Sequence, residues 1–169
     1  MSVNRVRPSR GFTLIELMVT IAILAIALGI AVPNLQEFVR RNNLAAATNN
    51  MVSSLALARS EAVRRAARVT VAADDWAGGW QVFVDTGTAG DPSEADDTVL
   101  RVYQPNASGA AAITLDDDTS GYVSYLPSGV SDVNGGSGSG SFEVSLDGNA
   151  RLICINNTGR VRTTSGTCE

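Results

Sequence analysis

The chain has 169 residues, 17 acids against 13 basic residues, and a net charge of −4, which suits one domain with a short appendage. An acidic whole excludes wholesale coating of nucleic acid but leaves room for a local basic site. Every basic residue is arginine and there is no histidine, so the commonest general base and metal ligand is missing. With no Gly-x-Ser-x-Gly elbow and no phosphate-binding P-loop either, neither an enzyme nor a cofactor is expected.

The N-terminus carries Arg5, Arg7 and Arg10, then Gly11-Phe12-Thr13-Leu14-Ile15-Glu16-Leu17 and an apolar run to Val32. Positive residues ahead of an apolar stretch form a membrane-targeting pattern. The 21 residues from Phe12 to Val32 make about 31 Å of helix, enough to cross a bilayer. The polar-to-apolar break falls at Gly11, before the hydrophobic stretch, whereas a secretory signal is cut after it. Glu16 sits inside the apolar run, where a lone carboxylate is costly and marks a function. A plain single-span anchor would leave the joint spacing of Gly11, Phe12 and Glu16 without a reason.

This junction resembles that of the type IV pilin and pseudopilin superfamily. The resemblance implies that a prepilin peptidase removes the leader 1–11 after Gly11 and that the new terminal Phe12 is N-methylated. Glu16 then pairs with the terminal amine of a neighbouring subunit. It also implies a single-pass inner-membrane protein with a periplasmic head, later built into a filament of major and minor pilins. Loss of the leader leaves 10 arginines against 17 acids, a balance of −7.

Along the chain, segment 12–33 reads as the transmembrane and assembly helix. A kink or break is expected at Pro33, which lacks an N–H and crowds the preceding turn. Segment 34–68 reads as an amphipathic helix, with Leu35, Phe38, Val39, Met51, Val52, Leu55, Ala58, Ala62 and Ala66 at three- and four-residue steps. From Val69 the period changes to two, and strands are predicted at 69–72, 80–84, 99–103, 112–115, 122–126, 141–146 and 150–155. Turns fall at Gly78-Gly79, 85–97, 127–129 and 147–149, and the Gly/Ser-rich 131–141 reads as a mobile loop. The expected fold is α+β: a long N-terminal helix packed on an antiparallel β-sheet head (69–169), a lollipop. In a head carried across the membrane, the pair Cys154 and Cys168 reads as a disulfide. It would close 15 residues and add about 3 kcal/mol in the chain-entropy account; a metal-binding thiol pair is the rival reading.

Three stretches of the head, 57–65, 76–85 and 154–162, carry Arg59-Ser60-Glu61-Ala62, the paired Trp76 and Trp80, and Gly159-Arg160-Val161-Arg162. Together they resemble the FimT/GspH minor pilins, a group that serves type IV pili and type II secretion pseudopili. The resemblance implies a low-copy subunit at a filament tip that helps start assembly. Residues two apart on an extended segment point the same way, so Arg160 and Arg162 would offer two guanidinium forks to consecutive phosphates. Gly159 would let the backbone approach closely. The FimT subgroup binds double-stranded DNA with such a Gly-Arg-x-Arg ending during natural transformation, so DNA is an expected partner. The alternatives are a structural tip or priming pilin whose arginines pair with acids of the head, and a minor pseudopilin of type II secretion.

Arg64, Arg65 and Arg68 would share one helix face with Glu61, at ion-pair spacing, as a self-paired surface or an auxiliary DNA patch. Trp76 and Trp80 read as core and hairpin packing, with base stacking as the rival. The acidic stretch 85–97 invites calcium by its oxygen ligands but lacks the EF-hand spacing, and solvated turns are the simpler reading.

Overall fold

The computed structural model describes residues 12–91, 96–104, 111–115, 121–133 and 138–168. Helix α1 spans Leu14–Arg65. Thr13 caps it: its Oγ1 accepts the Glu16 N–H at 3.3 Å, satisfying one of the orphan amides of the first turn. Glu16 is thus the acidic residue of a Thr-x-x-Glu start signal as well as a lone carboxylate. The expected break at Pro33 does not occur, since α1 runs unbroken through it. Pro33 removes only the N–H that would reach Gly29, and Asn34 Nδ2 adds a bond to the Ile30 carbonyl at 3.1 Å. The 14–65 helix contains an apolar window long enough to span a membrane, and none of that window is buried.

The chain divides into units 1–39 and 40–169. In the first, Leu35, Phe38 and Val39 are exposed, so the expected apolar stripe is bare at its N-terminal end. In the second, the stripe is covered. Leu44, Ala47, Thr48, Met51, Ser54, Leu55, Ala58 and Ala62 recur at helical spacing and are buried. The helix ends at Arg65 because Ala66 takes the left-handed conformation, φ 52°, the geometry of a C-terminal cap.

Two antiparallel sheets follow, where the strand periods alone suggested one. The five-stranded sheet has the order β3-β2-β1-β5-β6 and the four-stranded sheet the order β4-β7-β8-β9. The strands are β1 (Val69–Ala72), β2 (Trp80–Val84), β3 (Thr98–Tyr103), β4 (Ala112–Leu115), β5 (Tyr122–Tyr125), β6 (Ser131–Val133), β7 (Gly140–Leu146), β8 (Asn149–Ile155) and β9 (Val161–Thr164). The segment expected to be a loop at 131–141 therefore begins with β6 and ends in β7. Asp147 and Gly148 both have positive φ (49° and 84°) and join β7 to β8 as a two-residue type I′ hairpin.

One hydrophobic core draws on α1 and on both sheets. Met51, Leu55, Ala58 and Ala62 meet Val69, Val71, Val82 and Val123 of one sheet and Phe142, Val144, Ile153 and Ile155 of the other. Both tryptophans belong to it. Trp76 packs edge-on against Phe142 at 5.0 Å and Trp80 stacks on Tyr103 at 5.2 Å. Burial removes them as base-stacking platforms. Asp85 is buried too. Thr70 Oγ1 and the Gly90 N–H donate to its Oδ2 at 2.7 and 3.1 Å, and Arg68 Nη1 lies 3.8 Å from Oδ1. Asp97 accepts the Thr86 N–H at 2.9 Å. These carboxylates pin their own loop, a structural use that competes with metal binding; 92–95 and 116–118 lie outside the described residues.

Candidate nucleic-acid interface

The Gly159-Arg160-Val161-Arg162 motif sits on the β8–β9 hairpin, whose closing strand pair is Ile155 with Val161. Between them the loop folds on itself around Asn156. The Gly159 N–H donates to the Asn156 carbonyl at 2.8 Å and the Asn156 N–H to the Arg160 carbonyl at 3.1 Å. The Asn156 side chain then gathers three donors on one oxygen: Thr158 N–H (3.2 Å), Thr158 Oγ1 (2.8 Å) and Arg160 N–H (2.8 Å). Asparagine offers the backbone such a local partner and fixes a turn where its neighbours alone would not.

Gly159 closes the turn with φ 74°, the left-handed position of a bulged hairpin. It does not expose backbone to a ligand, as the sequence suggested, because it is buried. A Cβ there would lie 2.3 Å from the Gly129 carbonyl oxygen and 3.0 Å from Tyr125 Cε1. The glycine of the motif is required by packing against the β5–β6 turn. Burial raises the Tyr125 phenol above its ordinary range, so it stays neutral at any physiological pH.

Arg59, from α1, completes this junction. Its Nε donates to the Gly129 carbonyl at 3.0 Å and its Nη2 to the Thr158 carbonyl at 2.8 Å. One planar guanidinium thereby ties the helix to the β5–β6 turn and the motif loop, the fixed-fork use for which lysine is a poor substitute. Ser131 Oγ adds a contact to the Asn156 carbonyl at 2.9 Å. No periodic signal in the sequence marks Arg59 for this role, because both partners are carbonyls far away along the chain.

Arg160, the last residue of the loop, and Arg162, in β9, are both exposed, with half-buried Val161 between them. Arg160 has no ion pair among the described residues. Arg162 stands opposite Cys154, which is bonded to Cys168 with Cα atoms 5.6 Å apart. The disulfide ties the segment after β9 back onto β8.

The second basic cluster splits. Arg64 and Arg65 both bond Glu61, Arg65 Nε at 2.6 Å, and these arginines hold the Glu61 carboxyl below its ordinary range. Arg68 leaves their face because α1 stops at Arg65, and it turns to buried Asp85 instead. The structure thus does not assemble the expected three-arginine patch. Phe12 and Glu16 are exposed at the start of α1, and the Glu16 carboxylate has no partner among the described residues. Gly11 lies outside them.

The family "Type II transport protein GspH" matches residues 47–159, which include most of the buried helix stripe, β1 to β8 and the Gly159 of the motif. The chain belongs to the GspH family. A second profile, the prokaryotic N-terminal methylation motif, matches residues 6–32. The GspH-family chain is similar to the type IV major pilin protein PilA of Myxococcus xanthus, 46% identical over 52 residues, which are 30% of this chain and 24% of that protein. The match thus spans about a quarter of the length of that curated relative. Two crystal forms of the Pseudomonas aeruginosa type IV minor pilin FimU share the fold. One superposes with a TM-score of 0.60 at 19% identity over 75% of this chain and 92% of FimU. The other gives 0.55 at 18% over 70% and 90%. The GspH-family chain thus combines the N-terminal methylation motif with an α+β fold shared with FimU.

Proposed function

We propose that the protein is a tip-located minor pilin of a type IV pilus that helps assembly and captures double-stranded DNA for natural transformation. Prepilin peptidase cuts after Gly11, Phe12 is methylated, and the chain waits in the inner membrane with a periplasmic head. Glu16 then docks to the terminal amine of a neighbouring pilin. DNA is held by Arg160 and Arg162 through its phosphates, without base readout.

The observation that carries the DNA reading is the pre-ordered hairpin. Two exposed arginines flank the start of β9, beside a loop fixed by Asn156, Gly159 and Arg59, so little ordering entropy is lost on binding. The test is anisotropy of a labelled random-sequence duplex with full-length protein in zwitterionic detergent. Binding that falls with salt and disappears in Arg160→Gln/Arg162→Gln, at unchanged thermal stability, supports the reading. Absence of wild-type binding at low salt refutes it.

The family description, a type II transport protein, favours a second reading as a minor pseudopilin of type II secretion. Gene neighbourhood separates the machines. Deletion separates the roles: lost transformation with intact pili means capture, and lost pili means priming.

A further inference from the structure

A groove of about 430 Å³ opens on the five-stranded sheet, where the β1–β2 turn meets the end of β3. Hydrogen-bonding groups that the fold does not use collect there. Asp74, Gln81 and Gln104 line it, and none of the three side chains makes a hydrogen bond or ion pair among the described residues. Trp80, also in the wall, is buried, and its indole N–H has no partner among the described residues. Asp75 adds a second carboxylate beside Gly78. No basic side chain among the described residues lines the space. Tyr103 stacks on Trp80 and carries the Arg101 guanidinium over its ring, so the apolar surface left to the groove is Val102, 58% exposed. Asp85, Asn156 and Arg59 are spent on the fold itself, whereas these unmade hydrogen bonds share one concavity.

We propose that this groove binds a neutral saccharide. A carboxylate only accepts hydrogen bonds, a carboxamide both donates and accepts, and an indole N–H donates. Sugar hydroxyls, each a donor and an acceptor, match that whole set. Their C–H face needs an apolar seat, which Val102 supplies. A cation would suit the two carboxylates but leave the carboxamide and indole donors idle. Phosphate and other anions are repelled by Asp74 and Asp75, which sets the groove apart from the arginine motif. Its size suits a small ligand, since such sites run about 300–1,000 Å³ and join apolar walls to a few placed polar groups. Position keeps the two sites apart as well. Ala72 lines the groove, whereas Val69, at the other end of β1, pairs with Tyr125, which packs against Gly159. Saccharide binding therefore does not depend on the DNA reading above.

The probe is a panel of uncharged gluco-, galacto- and manno-oligosaccharides, titrated into full-length protein in zwitterionic detergent, which has no sugar headgroup to compete. Binding is read by calorimetry and by tryptophan fluorescence, since Trp80 lines the groove. The test variant is Asp74→Ala/Gln104→Ala, at two exposed positions. The expected result is saccharide binding by the wild type, unchanged in Arg160→Gln/Arg162→Gln and weakened about tenfold or more in the groove variant, which loses a hydrogen bond to a charged group. Should the groove variant melt at a lower temperature, Gln81→Leu decides in its place. Binding that survives both groove variants overturns the proposal, as does a wild type that binds none of the panel. Binding of a tetra-arginine peptide without any saccharide also overturns it and makes the groove a seat for a basic partner.

Discussion

Replacing Gly159 by alanine tests whether the motif glycine serves the fold. Two costs apply. A non-glycine residue in the left-handed region loses about 1–2 kcal/mol. The added Cβ, 2.3 Å from the Gly129 carbonyl oxygen and 3.0 Å from the Tyr125 ring, forces the two turns apart. That separation breaks the Arg59 bridge between Gly129 and Thr158, at about 1 kcal/mol per bond. The sum is about 3–4 kcal/mol, or about 10–15 °C in Tm for a head of this size. Gly148→Ala is the matched control: its φ is also positive, 84°, but nothing lies within 4 Å of its Cβ position. That variant should lose only the conformational part, about 1–2 kcal/mol. Urea and thermal unfolding of both variants, followed by circular dichroism with the disulfide intact, measure the difference. Equal losses in the two variants would refute the packing argument and return Gly159 to a role at the ligand.

Ala66→Gly should stabilise by about 0.5–1 kcal/mol, because φ 52° strains alanine at the helix cap while glycine costs some chain entropy; a rise of Tm checks it. Cys154→Ser/Cys168→Ser, which opens a link of sequence separation 14, should lower stability by about 3 kcal/mol, seen as a lower urea midpoint that reductant no longer shifts. Asp85→Ala leaves the Thr70 hydroxyl, the Gly90 amide and Arg68 without their acceptor and should cost about 3 kcal/mol. Asp85→Asn, which keeps an acceptor oxygen, should lose less in the same unfolding assay.

The membrane segment, the buried helix stripe and seven strands are legible in the sequence because each has a period that matches its environment. β6 is not, because Ser131-Asp132-Val133 is short, lies in a Gly/Ser-rich stretch and pairs only with β5. Exposed β9 hides for a related reason: with Arg, Thr and a single valine, an edge strand shows no apolar alternation. Division into two sheets is equally invisible, since a period of two gives faces and not partners. At the candidate interface, Arg160 and Arg162 were readable from spacing, whereas Arg59 was not, because its carbonyl partners carry no side-chain signature. Arg68 was misplaced because nothing local announces that alanine will end the helix at position 66.

The buried core begins at Leu44, and Leu35, Phe38 and Val39 before it are exposed. Anchor and head are therefore separable in free energy. Among the described residues, none before Leu44 belongs to the core cluster, so the head can be complete before the anchor exchanges lipid for protein. Substitutions among those bare apolar residues are then free to alter association with neighbours while the head melts at an unchanged temperature. Selection can act on one half of α1 for company and on the other for stability, with little interference between them.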